Sequence, residues 1–454
     1  MTWLARTLDN LKTAWREIAD SDDPKLFGPE LDEKAEVDLT TRMQECIDGK
    51  GGEVSARVRA ARLGEIYLHL DSDGRRRFLE IMATRFGHDR ALIDKAVADY
   101  QAADEKDRLP AITALDAALE PPSIQLLTQF NALPQGVKFL VDMRDDLLRH
   151  RKESKELMAL DATMEKLLSS WFDIGFLEMQ RITWNSPASL LEKLVEYEAV
   201  HEIRSWKDLR NRLDSDRRLF AFFHPRMPTE PLIFVEVALV NGIAGSIQGL
   251  LDEDAPALDP SAADTAIFYS ISNTQSGLRG VSFGNFLIKQ VAETLSKELP
   301  NLKNFSTLSP IPGFRVWLKE AASDDGQDLL SQDDRKRFRK IGLTVPDLLA
   351  DNSLLTNPDN EVVVRPFLKR VCALYFLKIK KNGLPIDPVA RFHLSNGAQI
   401  ERLNWMGDTS GKGLRQSCGL MVNYLYKLSD IEKNHERFAQ NGHITASSAV
   451  KGLL

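Results

Sequence analysis

The spacing of apolar residues changes period partway along the chain, and that change limits what it can fold into. Leu157, Leu160, Met164, Leu167 and Leu168 fall on one face of a helix, and Val137, Leu140, Val141, Leu147 and Leu148 repeat the pattern one segment earlier. Leu4, Leu8, Leu11, Trp15 and Ile18 also recur at steps of three and four, which predicts an amphipathic helix near the start. Pro121-Pro122 and Leu133-Pro134 read as turns, and the charged run from Arg149 to Glu156 as a solvated helix face or bend. Residues 1–175 are therefore expected to form an all-helical bundle whose surplus apolar faces suit self-association. His69, His88 and His150 stand isolated there and read as structural.

From residue 176 to 454 the runs shorten and become β-branched and aromatic. Leu219–Phe223 and Leu232–Leu239 read as strands around a Pro-marked loop from His224 to Pro231. Asp252–Ser261 reads as a loop, Ala266–Ser272 as a strand, Phe283–Leu299 as a helix with an apolar inner face, and Asn304–Pro310 as a strand end. This alternation predicts a mixed sheet flanked by helices.

Charge and cysteine usage narrow the function. Asp plus Glu number 66 against 59 Lys plus Arg, a net charge of −7, which argues against broad binding of nucleic acid. Cys46, Cys372 and Cys418 are too few and too scattered for a disulfide framework or a Cys-rich metal site. No apolar run reaches the ~20 residues that span a bilayer. The N-terminal segment lacks a secretory core, and Asp9, Glu17 and Asp20 depart from the acid-poor pattern of a transit peptide. A cytoplasmic location without membrane attachment is the expectation.

One turn carries a chemical signal. Gln275-Ser-Gly-Leu-Arg-Gly-Val-Ser-Phe-Gly284 joins a strand to a helix and contains three glycines. Glycine permits a sharp turn and close approach to a ligand, and a following helix offers free N–H groups to a pyrophosphate. Arg279 could add a charge-assisted contact. Gly280-Val-Ser-Phe-Gly284 also fits the G-x-S-x-G nucleophile elbow, but about nine residues separate Ser282 from the strand end at Ser272. The run Arg279–Gly284 is similar to the pyrophosphate loop of acetyltransferases, with Ser282 in place of a glycine, and the phosphate reading is preferred.

Several long segments together carry a more specific signal. Ala266–Ser272, Gln275–Gly284, Phe305-Ser-Thr-Leu-Ser-Pro-Ile-Pro-Gly-Phe314, Arg391-Phe-His-Leu-Ser-Asn-Gly-Ala398, Leu403-Asn-Trp-Met406 and Ser417-Cys-Gly-Leu-Met-Val-Asn-Tyr424 closely resemble malonyl-CoA decarboxylase. Trp171–Leu177 and Ile182–Pro187 extend the likeness to the domain junction. The resemblance implies a helical oligomerisation domain, forming a dimer or tetramer, followed by an acetyltransferase-like catalytic domain. It implies conversion of malonyl-CoA to acetyl-CoA and carbon dioxide, with no metal or organic cofactor. It places the catalytic serine on Ser306 and the catalytic histidine on His393. It also places substrate binding on Ser276, Gly277, Leu278, Arg279, Gly280, Val281, Ser282 and Gly284.

The chemistry fits such residues. A hydroxyl can hold the carboxylate or the oxygen where charge develops, and an imidazole can return a proton to C2. Ser309, before Pro310, rivals Ser306, and His224 is a second histidine candidate. Asn423, Tyr424 and Tyr426 are expected to line the acyl pocket, and Cys418 reads as packing. Three other functions use overlapping features: an acyl-CoA N-acetyltransferase, a serine hydrolase acting through Ser282, and a CoA-thioester sensor without turnover.

Overall fold

The computed structural model describes residues 11, 13–18, 27–49, 52–172, 174–281, 287–322 and 329–454. Contacts divide the chain into two compact units. The first comprises Met1–Glu178 with Phe223–Leu232 and Thr274–Phe283, and the second holds Met179–Phe222, Ile233–Asn273 and Gly284–Leu454. The glycine-rich loop thus belongs with the helical unit.

The first unit is built from helices Glu33–Asp48, Gly52–His69, Ser72–Arg85, Arg90–Ala102, Arg108–Leu119, Ser123–Asn131, Gly136–His150 and Lys155–Trp171. The predicted stripes face inward: Val137, Leu140, Val141 and Leu147 are buried on one helix, and Leu157, Leu160, Met164 and Leu168 on the next. Four aromatic contacts knit the core, pairing Trp15, Phe130 and Tyr67 with Phe139, and Tyr67 with Phe78. Their ring centroids lie 4.7–5.5 Å apart in edge-on geometry, the arrangement the ring quadrupole favours. The charged run after Arg149 is where one helix ends and the next begins, at its Ser154 N-cap. Leu4 and Leu8 lie outside the described residues.

The strands are β1 (Glu178–Ile182), β2 (Arg217–His224), β3 (Met227–Val240), β4 (Thr265–Asn273), β5 (Asn304–Thr307), β6 (Lys380–Lys381), β7 (Leu384–Pro385), β8 (Gln399–Asn404) and β9 (Met421–Leu425). Seven form one sheet, in the order β1-β2-β3-β4-β5-β9-β8. The Pro-marked loop expected from His224 to Pro231 is a correction, because β3 already resumes at Met227. Proline lacks only the N–H, so Pro228 and Pro231 can sit in a strand end where no ladder bond is required of them. The helix expected from Phe283 is described from Leu287 to Glu298.

Sheet register positions the site. β4 pairs antiparallel with β3 but parallel with β5, through Thr265–Phe268 against Asn304–Thr307. β9 pairs antiparallel with both β5 and β8. β4 runs on to Asn273 while β5 stops at Thr307. Ser309 exchanges backbone hydrogen bonds with Val422 of β9, at 2.8 and 3.0 Å. Pro310 then has no N–H to extend a ladder. Beyond Phe268, β4 therefore has no parallel neighbour on that side, and a cleft opens there. Among the described residues no helix is long and apolar enough to cross a membrane.

Candidate active site

The cleft, in the second unit, encloses about 270 Å³. β4 contributes Phe268, Tyr269, Ile271 and Asn273, β3 Ile233 and Val235, and the segment after β5 Ser309 and Pro310. Val200, Leu287, Ile288, Pro388, Val389, Phe392 and His393 complete the lining. The walls are mostly apolar, and Ser309 and His393 bring polar atoms to them.

His393 is placed by the helix Pro388–Ser395. Asp387 caps that helix, its carboxylate accepting from the Ala390 N–H at 2.8 Å, and Pro388 supplies the preset first turn. The helix gives way at Gly397, whose φ of 82° needs glycine. A Cβ there would also stand 2.2 Å from the Ile431 carbonyl oxygen. The turn expected at Asn396-Gly397 is thus what sets His393 in the last helical turn.

The imidazole is held on three sides. Nδ1 lies 2.7 Å from the Tyr426 hydroxyl, and Nε2 lies 3.3 Å from Ser309 Oγ. The ring stacks on Tyr424, centroids 4.5 Å apart and planes 25° from parallel. Ser309 Oγ in turn donates to Thr307 Oγ1 at 2.8 Å. With that proton committed, Ser309 can accept from Nε2–H while Tyr426 donates to Nδ1, so one neutral tautomer satisfies every bond. Burial pushes the His393 pKa down to about 3, so the ring of the free protein is neutral at ordinary pH.

Ser306, the serine expected beside His393, is elsewhere. It is fully buried inside β5, and its Oγ donates to the carbonyls of Tyr424 at 3.1 Å and Thr307 at 3.3 Å. Ser309 takes the position next to the imidazole. Side chains alternate along β5, whereas Ser309 lies past the strand end, where the chain turns toward the cleft. Asn423 is likewise spent within the protein. Its Nδ2 donates to Thr307 O and Ala244 O, and its Oδ1 accepts from Asn404 Nδ2 and Arg402 Nε. Tyr426 and Tyr424 both contact the histidine. His224 is structural: Nε2 lies 3.0 Å from the Trp171 carbonyl and Nδ1 accepts from the Arg226 N–H.

The glycine-rich loop, in the first unit, opens with a short 3₁₀ turn at Ser276–Leu278. Gly277, Leu278 and Val281 are buried, while Ser276, Arg279 and Gly280 face solvent. Gly280 has φ 91°, and a Cβ on Gly277 would stand 1.8 Å from the Val141 carbonyl oxygen. Both glycines are therefore demanded by backbone geometry. Ser282 and Gly284 lie outside the described residues.

Three supporting residues escaped the sequence reading. Thr307 orients Ser309. Glu198 accepts from the Val200 and His201 N–H groups and from the Ser270 and Ser272 hydroxyls, fixing the cleft wall at Val200. Arg144, fully buried, donates to the carbonyls of Gly277 and Arg279. Arg144 had a signal, since it occupies the inward stripe of its helix, three residues after Val141 and four after Leu140. Among the described residues, no three His, Cys, Asp or Glu side chains gather as a metal site.

Comparison with known proteins finds relatives over nearly the whole chain. Residues 175–454 match the family model of the malonyl-CoA decarboxylase C-terminal domain, and residues 86–172 that of the N-terminal domain. The mitochondrial malonyl-CoA decarboxylase of Anser anser anser is 37% identical over 425 residues, covering 88% of this chain and 84% of the relative. That of Mus musculus is 34% identical over 446 residues, covering 94% and 87%. The crystal structure of malonyl-CoA decarboxylase from Rhodopseudomonas palustris superposes with TM-score 0.85 at 43% identity, over 92% of this chain and 99% of that one. The one from Agrobacterium vitis gives TM-score 0.83 at 44% identity, over the same shares.

Proposed function

The chain belongs to the malonyl-CoA decarboxylase family of carboxy-lyases, and from that premise we propose that Ser309 and His393 are its catalytic pair. The observation that carries this reading is the array Tyr426–His393–Ser309, of which His393 and Ser309 line a mostly apolar cleft. Losing carbon dioxide leaves an enolate whose charge the substrate's own thioester carbonyl accepts, so the reading calls for no metal or organic cofactor. When substrate enters, the Ser309 hydroxyl turns its proton from Thr307 Oγ1 to the malonyl group where charge develops. An anionic carboxylate brought beside the ring raises its affinity for a proton. The proton taken up with the substrate is then delivered by His393 to C2. The balance closes: malonyl-CoA carboxylate plus one proton gives acetyl-CoA plus carbon dioxide.

The reading extends to three further points. The exposed surface of the loop Ser276–Val281 takes the diphosphate of CoA, with Arg279 as its cation. Residues 1–175 self-associate; in support, helices Arg90–Ala102 and Arg108–Leu119 bury only Ala96 and Ala118 and leave Leu92, Leu109 and Leu119 exposed. A cytoplasmic setting, where thiols stay reduced, fits three cysteines that are all buried and unpaired.

The test is release of carbon dioxide and acetyl-CoA from malonyl-CoA by the purified protein and three variants. Ser309→Ala and His393→Ala are each expected to lose ~10²–10⁴ in kcat/KM, while Ser306→Ala stays within about 10-fold. A loss with Ser306→Ala that Ser309→Ala does not match would return the role to Ser306. Malonyl-CoA binding without turnover in the intact protein would leave the sensor reading.

A further inference from the structure

Arg144, in the first unit, is fully buried and spends donors on the glycine-rich loop. Nη1 donates to the Gly277 carbonyl at 2.9 Å and the Arg279 carbonyl at 2.8 Å. Nε and Nη2 are held by Asp161 at 2.9 Å and Glu165 at 2.7 Å. Asp161 is itself gripped by Arg151 at 2.7 Å. Four of the five N–H groups are thus assigned, two to carboxylates that fix the fork and two to the loop it reads.

A trans peptide points its carbonyl and its following N–H in opposite directions. Drawing the Arg279 carbonyl onto Arg144 therefore turns the Gly280 N–H outward. That N–H makes no hydrogen bond with a described residue, whereas those of Leu278, Arg279 and Val281 are used within the turn. Gly280 is exposed, and its φ of 91° suits the reversed peptide. Gly277 lies against the Val141 carbonyl with no room for a Cβ, so the loop rests on the same helix that carries Arg144.

We propose that Arg144 is a positioning residue for the substrate, presetting the loop so that the Gly280 N–H and the Arg279 side chain meet the diphosphate of a CoA thioester. This rests on the reading that the loop binds that diphosphate. Arg144 touches no substrate; it acts by holding carbonyls away from the anion and an N–H toward it. The helical half of the chain thereby helps set the affinity for CoA.

The test compares malonyl-CoA with malonyl-pantetheine, which lacks the diphosphate, on the full-length protein. Arg144→Lys keeps the buried charge but cannot hold two carboxylates and two carbonyls at once. It is expected to raise KM for malonyl-CoA about 10-fold with kcat within about threefold. Turnover of malonyl-pantetheine should be unchanged by it. Arg144→Met, checked for folding by its melting curve, should show the same split more strongly. Equal losses on both substrates, an effect on kcat alone, or no effect would overturn the assignment. A wild-type protein that uses both substrates equally well would instead overturn the loop reading itself, and the proposal with it.

Discussion

His393 shows how burial and bonding decide what one residue can do. Full burial disfavours the charged form, so its pKa falls to about 3, while both nitrogens are engaged and the ring stacks on Tyr424. In the unfolded chain the same ring titrates near 6.5. Between these values the unfolded state binds the extra proton, so stability rises with pH up to about 6.5 and is lost as pH falls below it. Each unit below 6.5 costs roughly 1.4 kcal/mol through this residue. His393→Gln removes the titration. The drop in melting temperature between pH 7 and pH 5 should be smaller in the variant than in the wild type, and an equal drop would show that the ring is not held neutral. Ser306 and Ser309 make the companion point: two hydroxyls three residues apart, one closed on backbone carbonyls and one facing the cleft.

At the scale of elements, the site depends on where strands and helices stop. β5 ends before Ser309 and Pro310, β4 continues, and the gap between them becomes the cleft. The helix Pro388–Ser395 begins on Asp387, a buried carboxyl that also accepts from the Tyr375 hydroxyl at 3.3 Å. Burial raises its pKa, against the N–H and O–H donors that lower it, and asparagine is as good an N-cap as aspartate. Asp387→Ala is expected to cost ~1–2 kcal/mol and to reduce kcat by loosening His393, while Asp387→Asn retains most of both. Urea midpoints and turnover measured on the two variants check this. Equal damage from both would assign Asp387 to something other than capping.

For the molecule as a whole, Leu92, Leu109 and Leu119 of the helices Arg90–Ala102 and Arg108–Leu119 stand exposed, outside their own core. If they join copies of the chain, Leu92→Lys combined with Leu109→Glu should lower the mass seen by light scattering while leaving the folded core intact. A wild-type protein that is already monomeric would remove self-association from the proposal.

Local pattern was enough for several of the elements, and the longer segments for the family. Periodicity of 3.6 laid out the helices Gly136–His150 and Lys155–Trp171, and short continuous β-branched and aromatic runs marked β2, β3 and β4, because burial of a stripe or of a whole strand is a local pattern. The same stripes carried a warning in Arg144 and Asp161, a cation and an anion at inward positions of two consecutive helices, which only a buried pairing can satisfy. What the tertiary structure decided was which side chains meet. Ser309 lies 84 residues from His393 along the chain, and Tyr426 lies 33 beyond it, so neither separation encodes proximity. Which serine faces the cleft follows from where the ladder between β4 and β5 breaks, and that is settled by pairing between strands distant in sequence.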